Sequence, residues 1–176
     1  SINNTFHHHH ICGDIENLPI KENSIDLVWS SSSIQWSNDL PILFSNIKKI
    51  LKPNGCFIFS TFGPKTLIEL KIITNKLSSL PRTNNFFDAP HIESSLRKEN
   101  FKIQTIENEI KIFKYKNVND ILNAIKGVGA TNGNIKRDKG LKGRKFIKDI
   151  KNEYKDFIID GLYPATYEVI YGVVWN

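Results

Sequence analysis

Ile25-Asp26-Leu27-Val28-Trp29 opens, and Cys56-Phe57-Ile58-Phe59-Ser60-Thr61-Phe62 closes, the stretch that decides the fold. Each is a short apolar run bounded by polar turns, so both predict buried strands. Between them Leu40, Leu43, Phe44, Ile47, Ile50 and Leu51 recur at the three-or-four spacing of one helical face. Asn38 or Asp39 supplies the cap, Pro41 falls in the first turn, and Lys52-Pro53-Asn54-Gly55 stops the helix. Strand, crossover helix and strand make a parallel unit. The expectation is an α/β sheet with its ligand site at the carboxyl ends of the strands.

Working outward, Gly63-Pro64 leads into a helix running to about Ser79, and a shorter helix follows Asp88 and Pro90. Phe101 to Lys114 alternates like a strand. Asn117, with Asp120 three residues on, caps a helix burying Val118, Ile121, Leu122 and Ile125. A basic, glycine-rich loop spans Gly127 to Gly143. Phe146, Ile147, Ile150, Tyr154, Phe157 and Ile158 mark a longer amphipathic helix, and Thr166 to Trp175 reads as a closing strand.

With 40% hydrophobic and 11% aromatic residues, the 176-residue chain can bury a core as one globular domain. It holds no apolar run near the roughly 20 residues of a membrane helix and no secretory leader pattern, so a cytoplasmic location is expected. Lys and Arg outnumber Asp and Glu by 24 to 18, giving +6. That balance favours an anionic partner (nucleic acid, membrane surface or acidic protein) or else only a solvated lysine-rich surface. Cys12 and Cys56 both fall in stretches that read as buried strands, which suits reduced thiols acting as small hydrophobes. The run His7 to His10 reads as a strand edge; an affinity tag and a metal site are the alternatives, the last disfavoured because successive strand residues point to opposite faces. The chain contains no methionine and starts at Ser1, so it reads as truncated at its N-terminus.

Gly13-Asp14-Ile15-Glu16-Asn17-Leu18-Pro19-Ile20, followed by Ser24-Ile25-Asp26-Leu27-Val28, resembles the middle of the class I S-adenosylmethionine (SAM) dependent methyltransferases. In that family an acidic residue at the tip of the third strand accepts a hydrogen bond from the adenine amine, and the next backbone N–H meets a ring nitrogen. Asp14 and Ile15 stand in those places. Ser30-Ser31-Ser32-Ser33-Ile34-Gln35-Trp36 and Phe59 to Leu70 narrow the resemblance to the O-methyltransferases of biotin synthesis that act on malonyl-acyl-carrier protein. Phe87-Asp88 with His91, Gly140 to Arg144, and Leu162-Tyr163-Pro164-Ala165-Thr166-Tyr167-Glu168-Val169 are similar to that family's later segments. Ser31 departs from the family's more frequent asparagine.

The resemblance implies a Rossmann-like sheet with flanking helices and a helical substrate-side insertion before the last strand, its first two strands and glycine-rich loop missing from this sequence. It divides one partial domain into a cofactor-side core (1–62), substrate-side elements (63–163, with a strand at 102–114) and a final strand (164–176). It implies SAM as methyl donor, held by Asp14, Ile15, Ser30 and Ser31, and no metal. The acceptor would be the free carboxylate of malonyl-acyl-carrier protein or malonyl-CoA. Such a carboxylate titrates at roughly pKa 3 to 4 and is already an anionic nucleophile, so positioning is expected in place of a catalytic base. Arg144 or Arg137 would orient it, unless both are solvated cations or contacts to the acidic carrier. Trp36 would wall the pocket and Gln35 donate a hydrogen bond, with His91 and Tyr167 as further substrate-side candidates. Lys136, Lys139, Lys142 and Lys145 would steer the carrier protein. A monomer with neither nucleic-acid nor membrane partners is expected. The competing readings are a related methyltransferase of a small acid or quinone precursor, and an inactive remnant.

Overall fold

The computed structural model describes residues 10–77, 86–127 and 141–176. Its strands are β1 (Ile25–Ser31), β2 (Leu51–Phe62), β3 (Lys102–Tyr115) and β4 (Tyr163–Trp175). Its helices are α1 (Leu40–Ile50), α2 (Ile68–Leu77), α3 (Ala89–Lys98), α4 (Val118–Gly127) and α5 (Leu141–Glu153). The strands form one sheet in the order β1-β2-β4-β3, with β1 and β2 parallel and both other pairings antiparallel.

The expected strand–helix–strand unit is present. Asp39 caps α1 by accepting from the Ile42 N–H at 3.0 Å, and Pro41 occupies its first turn, where a missing N–H costs nothing. The Lys52–Gly55 turn survives as an irregularity: pairing jumps from Ile25–Leu51 to Leu27–Cys56, and Asn54 takes a φ of 61°. Asn is one of the few side chains that tolerates that backbone conformation. From Cys56 onward β2 continues regularly to Phe62.

Two cores follow from amphipathic faces. In the first, Leu40, Leu43, Phe44 and Ile47 of α1 and Ile92 and Leu96 of α3 meet Phe57 and Phe59 of β2 and Ile170 and Val174 of β4. Gly172 faces Phe59, whose ring would lie 2.2 Å from a Cβ there, so only glycine leaves room for it. In the second, Leu70 and Ile73 of α2, Val118 and Ile121 of α4 and Ile150 of α5 gather around Tyr154 and Ala165. The Tyr154 hydroxyl is buried and donates to the Pro164 carbonyl at 2.9 Å.

A double clasp joins the two cores where β2 leaves the sheet. Beyond Phe62–Val169 the β4 edge has no neighbouring strand on that side among the described residues, and its N–H and C=O groups need other partners. The turn after β2 provides them: Gly63 N–H donates to Glu168 O at 2.8 Å, and Leu67 N–H to Thr166 O at 2.6 Å. The Thr66 hydroxyl accepts from Glu168 N–H at 3.1 Å, and buried Glu69 accepts from both the N–H and the hydroxyl of Thr166. In return the Glu168 carboxylate, 5% exposed, accepts from Lys65 N–H at 2.8 Å and Asn108 Nδ2 at 3.0 Å. Leu67 is held at a φ of 55°, a conformation costly for a γ-branched side chain.

Several expectations are corrected. Cys12 is exposed and lies in no strand, and no strand leads into Asp14 among the described residues. β1 is half-exposed, with Leu27 49% and Trp29 74% open, because one of its faces is covered by nothing among the described residues. The register places Trp175 and Tyr171 on that same sheet face. The last helix stops at Glu153 and tightens into a 3-10 turn at Tyr154–Phe157, so Ile158 lies beyond it and is 40% exposed. β4 starts at Tyr163, three residues before the expected Thr166. His7 to His9 and most of the Gly127–Gly143 loop lie outside the described residues.

Candidate functional site

The parallel strands β1 and β2 end side by side, with Ser31 opposite Ser60. Ser32, at a φ of 50°, turns the chain out of β1 into a 3-10 turn at Ile34–Trp36. Ile34 is buried and anchors that turn to the first core. Gln35 is thereby fixed at both ends of its amide: Nε2 donates to Ser32 O, and Oε1 accepts from the Thr61 hydroxyl at 3.2 Å. Neither bond uses the second Nε2 hydrogen. Trp36 is 44% exposed beside it.

The hydroxyl of Ser30 is buried and has no hydrogen-bond partner among the described residues. An orphaned buried hydroxyl costs about 1–3 kcal/mol, and it fits a polar ligand at the strand ends. Ser31 is exposed, its hydroxyl accepting at 3.5 Å from that of Ser60.

Asp14 and Ile15 belong to a tight turn in which Asp14 bridges Asn17. One Asp14 oxygen accepts from the Glu16 N–H at 2.9 Å, leaving the other directed to none of the described partners. Ile15 packs against the first core. Glu16 ties this turn to the 3-10 turn and α1: Oε1 accepts from the Ser37 hydroxyl at 2.8 Å and from the N–H groups of Asn38 and Asp39 at 2.7 and 3.3 Å. Asn46 of α1 donates to the Glu16 carbonyl. These donors, the Ser37 hydroxyl foremost, hold the Glu16 carboxyl below its ordinary pKa. A carboxyl lowered in the folded state contributes stability above its ordinary pKa and loses it as pH falls. Acidification below about pH 4.5 is therefore expected to release the Asp14–Asn17 turn from α1. Amide resonances of Ser37–Asp39 would report the release, and Glu16→Gln should weaken its pH dependence.

Of the remaining candidates, Tyr167 lies near the end of β2 and the others are exposed on helices or lie outside the described residues. His91 is exposed in the first turn of α3; its N–H donates to Asp88, the helix cap, and its ring stacks on Phe87 at 4.9 Å. Tyr167 lies on β4 between Phe62 and Phe113, 5.9 and 5.6 Å away, its phenol pKa pushed up chiefly by burial. Arg144 and Lys145 are exposed on the first turns of α5. Arg137, Lys136 and Lys139 lie outside the described residues, as does the side chain of Lys142. The structure thus brings Asp14, Ile15, Ser30, Gln35 and Trp36 to one end of the sheet. Glu16 and Thr61, which fix that arrangement, were not singled out by sequence; an acid followed by a Ser-Asn-Asp helix start was the available signal for Glu16. Among the described residues no group of three or more His, Cys, Asp or Glu could hold a metal, and no helix is long and apolar enough to cross a membrane.

A methyltransferase domain family matches residues 2–59. A putative methyltransferase from Bacillus halodurans superposes with a TM-score of 0.59 at 16% identity, covering 93% of this chain and 69% of that one. The YcgJ protein of Bacillus subtilis gives 0.57 at 13% identity, with the same coverages of 93% and 69%. These likenesses give the chain the Rossmann-like fold of the class I methyltransferases. A malonyl-acyl-carrier-protein O-methyltransferase of Methylovorus is 41% identical over 168 residues, covering 96% of this chain and 57% of the relative. One of Legionella pneumophila is 32% identical over 94% of this chain and 59% of the relative. The chain is similar along nearly its whole length to malonyl-acyl-carrier-protein O-methyltransferases, and it spans somewhat over half the length of these curated relatives.

Proposed function

We propose that this chain carries the adenine-reading turn and the acceptor side of a cytoplasmic, SAM-dependent methyltransferase that esterifies the free carboxylate of a malonyl group on an acyl carrier protein. Similarity to proteins of that name along 96% of the chain carries the reading. The strand-end site suits it: Asp14 has an acceptor oxygen for an exocyclic amine, the Ile15 N–H lies beside it in the turn, and Ser30 offers a hydroxyl without a partner. When bound, SAM supplies an electrophilic methyl group. The chain's own task is positioning. Gln35, locked by Ser32 and Thr61, presents one fixed N–H to the acceptor, and Trp36 limits water beside it. No side chain needs to remove a proton from an acceptor that is already anionic. Arg144 and Lys145 lie on the surface offered to the acidic carrier.

The test offers labelled SAM with malonyl carrier protein to the chain alone and to a chimera adding the region that only the Methylovorus relative covers. Base-labile methyl ester on the carrier is expected, with carrier affinity falling as salt rises. Methyl transfer to free small acids but not to the carrier-bound malonyl group overturns the reading.

A further inference from the structure

The turn that leaves β2 places a half-buried cation at the same end of the sheet. Lys71, on the first turns of α2, donates from Nζ to the Pro64 carbonyl at 2.8 Å and stands over the Phe86 ring at 5.3 Å. Among the described residues it makes no ion pair, unlike Lys52, Lys76, Lys111 and Lys114. The acid that acts on it, Glu168, has each carboxylate oxygen engaged, by Lys65 N–H and by Asn108. An ammonium has three N–H groups, so one neutral carbonyl and one ring face leave Lys71 under-compensated. Burial accordingly lowers its pKa, only partly opposed by Glu168.

Apolar surface adjoins the cation. Phe62, the last residue of β2, lies 5.9 Å from Phe86 and 5.9 Å from Tyr167. A cation with spare N–H groups beside three aromatic rings matches a short acyl chain ending in a carboxylate.

We infer that Lys71 is the group that recognises the free carboxylate of the acyl substrate, with Phe62, Phe86 and Tyr167 lining the approach of its thioester arm. This rests on the methyltransferase reading above and sharpens it, because it moves carboxylate recognition from the exposed Arg144 of α5 to α2. Pro64 O fixes where the ammonium sits, and the Glu168 clasp fixes Pro64.

The experiment measures dissociation constants of malonyl-pantetheine and acetyl-pantetheine for the full chain, for Lys71→Met, Lys71→Gln and Lys71→Arg. The wild-type chain is expected to favour the malonyl compound by about tenfold or more, a charge-assisted pair. Lys71→Met, which keeps the aliphatic contact with Phe86, should erase that preference, while Lys71→Arg should keep most of it. A thermal melt verifies folding, and Lys71→Gln serves should the Met variant not fold. Malonyl-pantetheine, but not the acetyl compound, should also shift the Lys71 ε-methylene resonances of the unmutated chain. A wild-type preference that survives in the neutral variants, or ε-methylene resonances that stay put, overturns the role of Lys71 alone. A wild-type chain without any preference overturns the malonyl reading and this inference with it.

Discussion

Truncating Phe57 to alanine is expected to destabilise the fold by about 3–5 kcal/mol, the usual loss for a fully buried aromatic ring. Phe57 is 0% exposed, and its ring centroid lies 5.0 Å from Phe59, 6.3 Å from Phe44 and 6.5 Å from Phe101. It therefore joins β2 to α1 and to the residue that precedes β3. Removing it opens a cavity beside the rings of Phe44, Phe59 and Phe101, and a close-packed core relaxes only partly into such a space. Phe57→Leu should cost distinctly less, since much of the volume is kept. Urea denaturation decides the matter; a loss below about 1 kcal/mol would show that the first core is loosely packed.

Glu69→Ala is expected to cost about 2–4 kcal/mol, because it strips the partner from two buried donors at once. Thr166 presents its N–H and its hydroxyl to the two carboxylate oxygens, and Glu69 is 5% exposed. Thr166→Val removes the hydroxyl and leaves the N–H bond. A double-mutant cycle between the two should return a coupling of about 1–3 kcal/mol. Additive losses would mean that the clasp does not hold as described. Since Glu69 lies on the first turn of α2, between Pro64 and Lys71 in sequence, Glu69→Ala should also weaken malonyl-pantetheine binding, whereas Phe57→Leu should leave it near normal.

Local pattern was enough for much of this architecture. The spacing from Leu40 to Leu51, the Asp39 cap and Pro41 specified α1, and the Asn117 cap was found where expected, accepting from the Asp120 N–H at 3.1 Å. Those signals lie within a few residues of one another, so spacing encodes them. Which faces are covered is not local. A β-rich run such as Ile25–Trp29 announces a strand, yet the exposure of Trp29 depends on what packs across the sheet, and the same holds for Cys12. The clasp was equally hidden: Glu69 and Thr166 are 97 positions apart and Thr66 and Glu168 102 apart, although both segments stood out as motifs. Likewise Asp14 and Ser30 stand in separate motifs, and the Glu16 contacts that link the Asp14 turn to the turn after β1 come from residues more than 20 positions apart.

The sheet order has a consequence for how the molecule is made. β4, the last of the described strands in sequence, lies between β2 and β3, so among the described strands those two share no hydrogen-bonded neighbour until it arrives. During synthesis β1 and β2 can pair early, but β3 must wait with an unsatisfied edge. Contacts of such long sequence separation make folding slow and delay it until β4 has been made. Loss of even the residues from Tyr163 onward would remove the strand that holds the halves together, leaving exposed edges for chaperones and proteases to find.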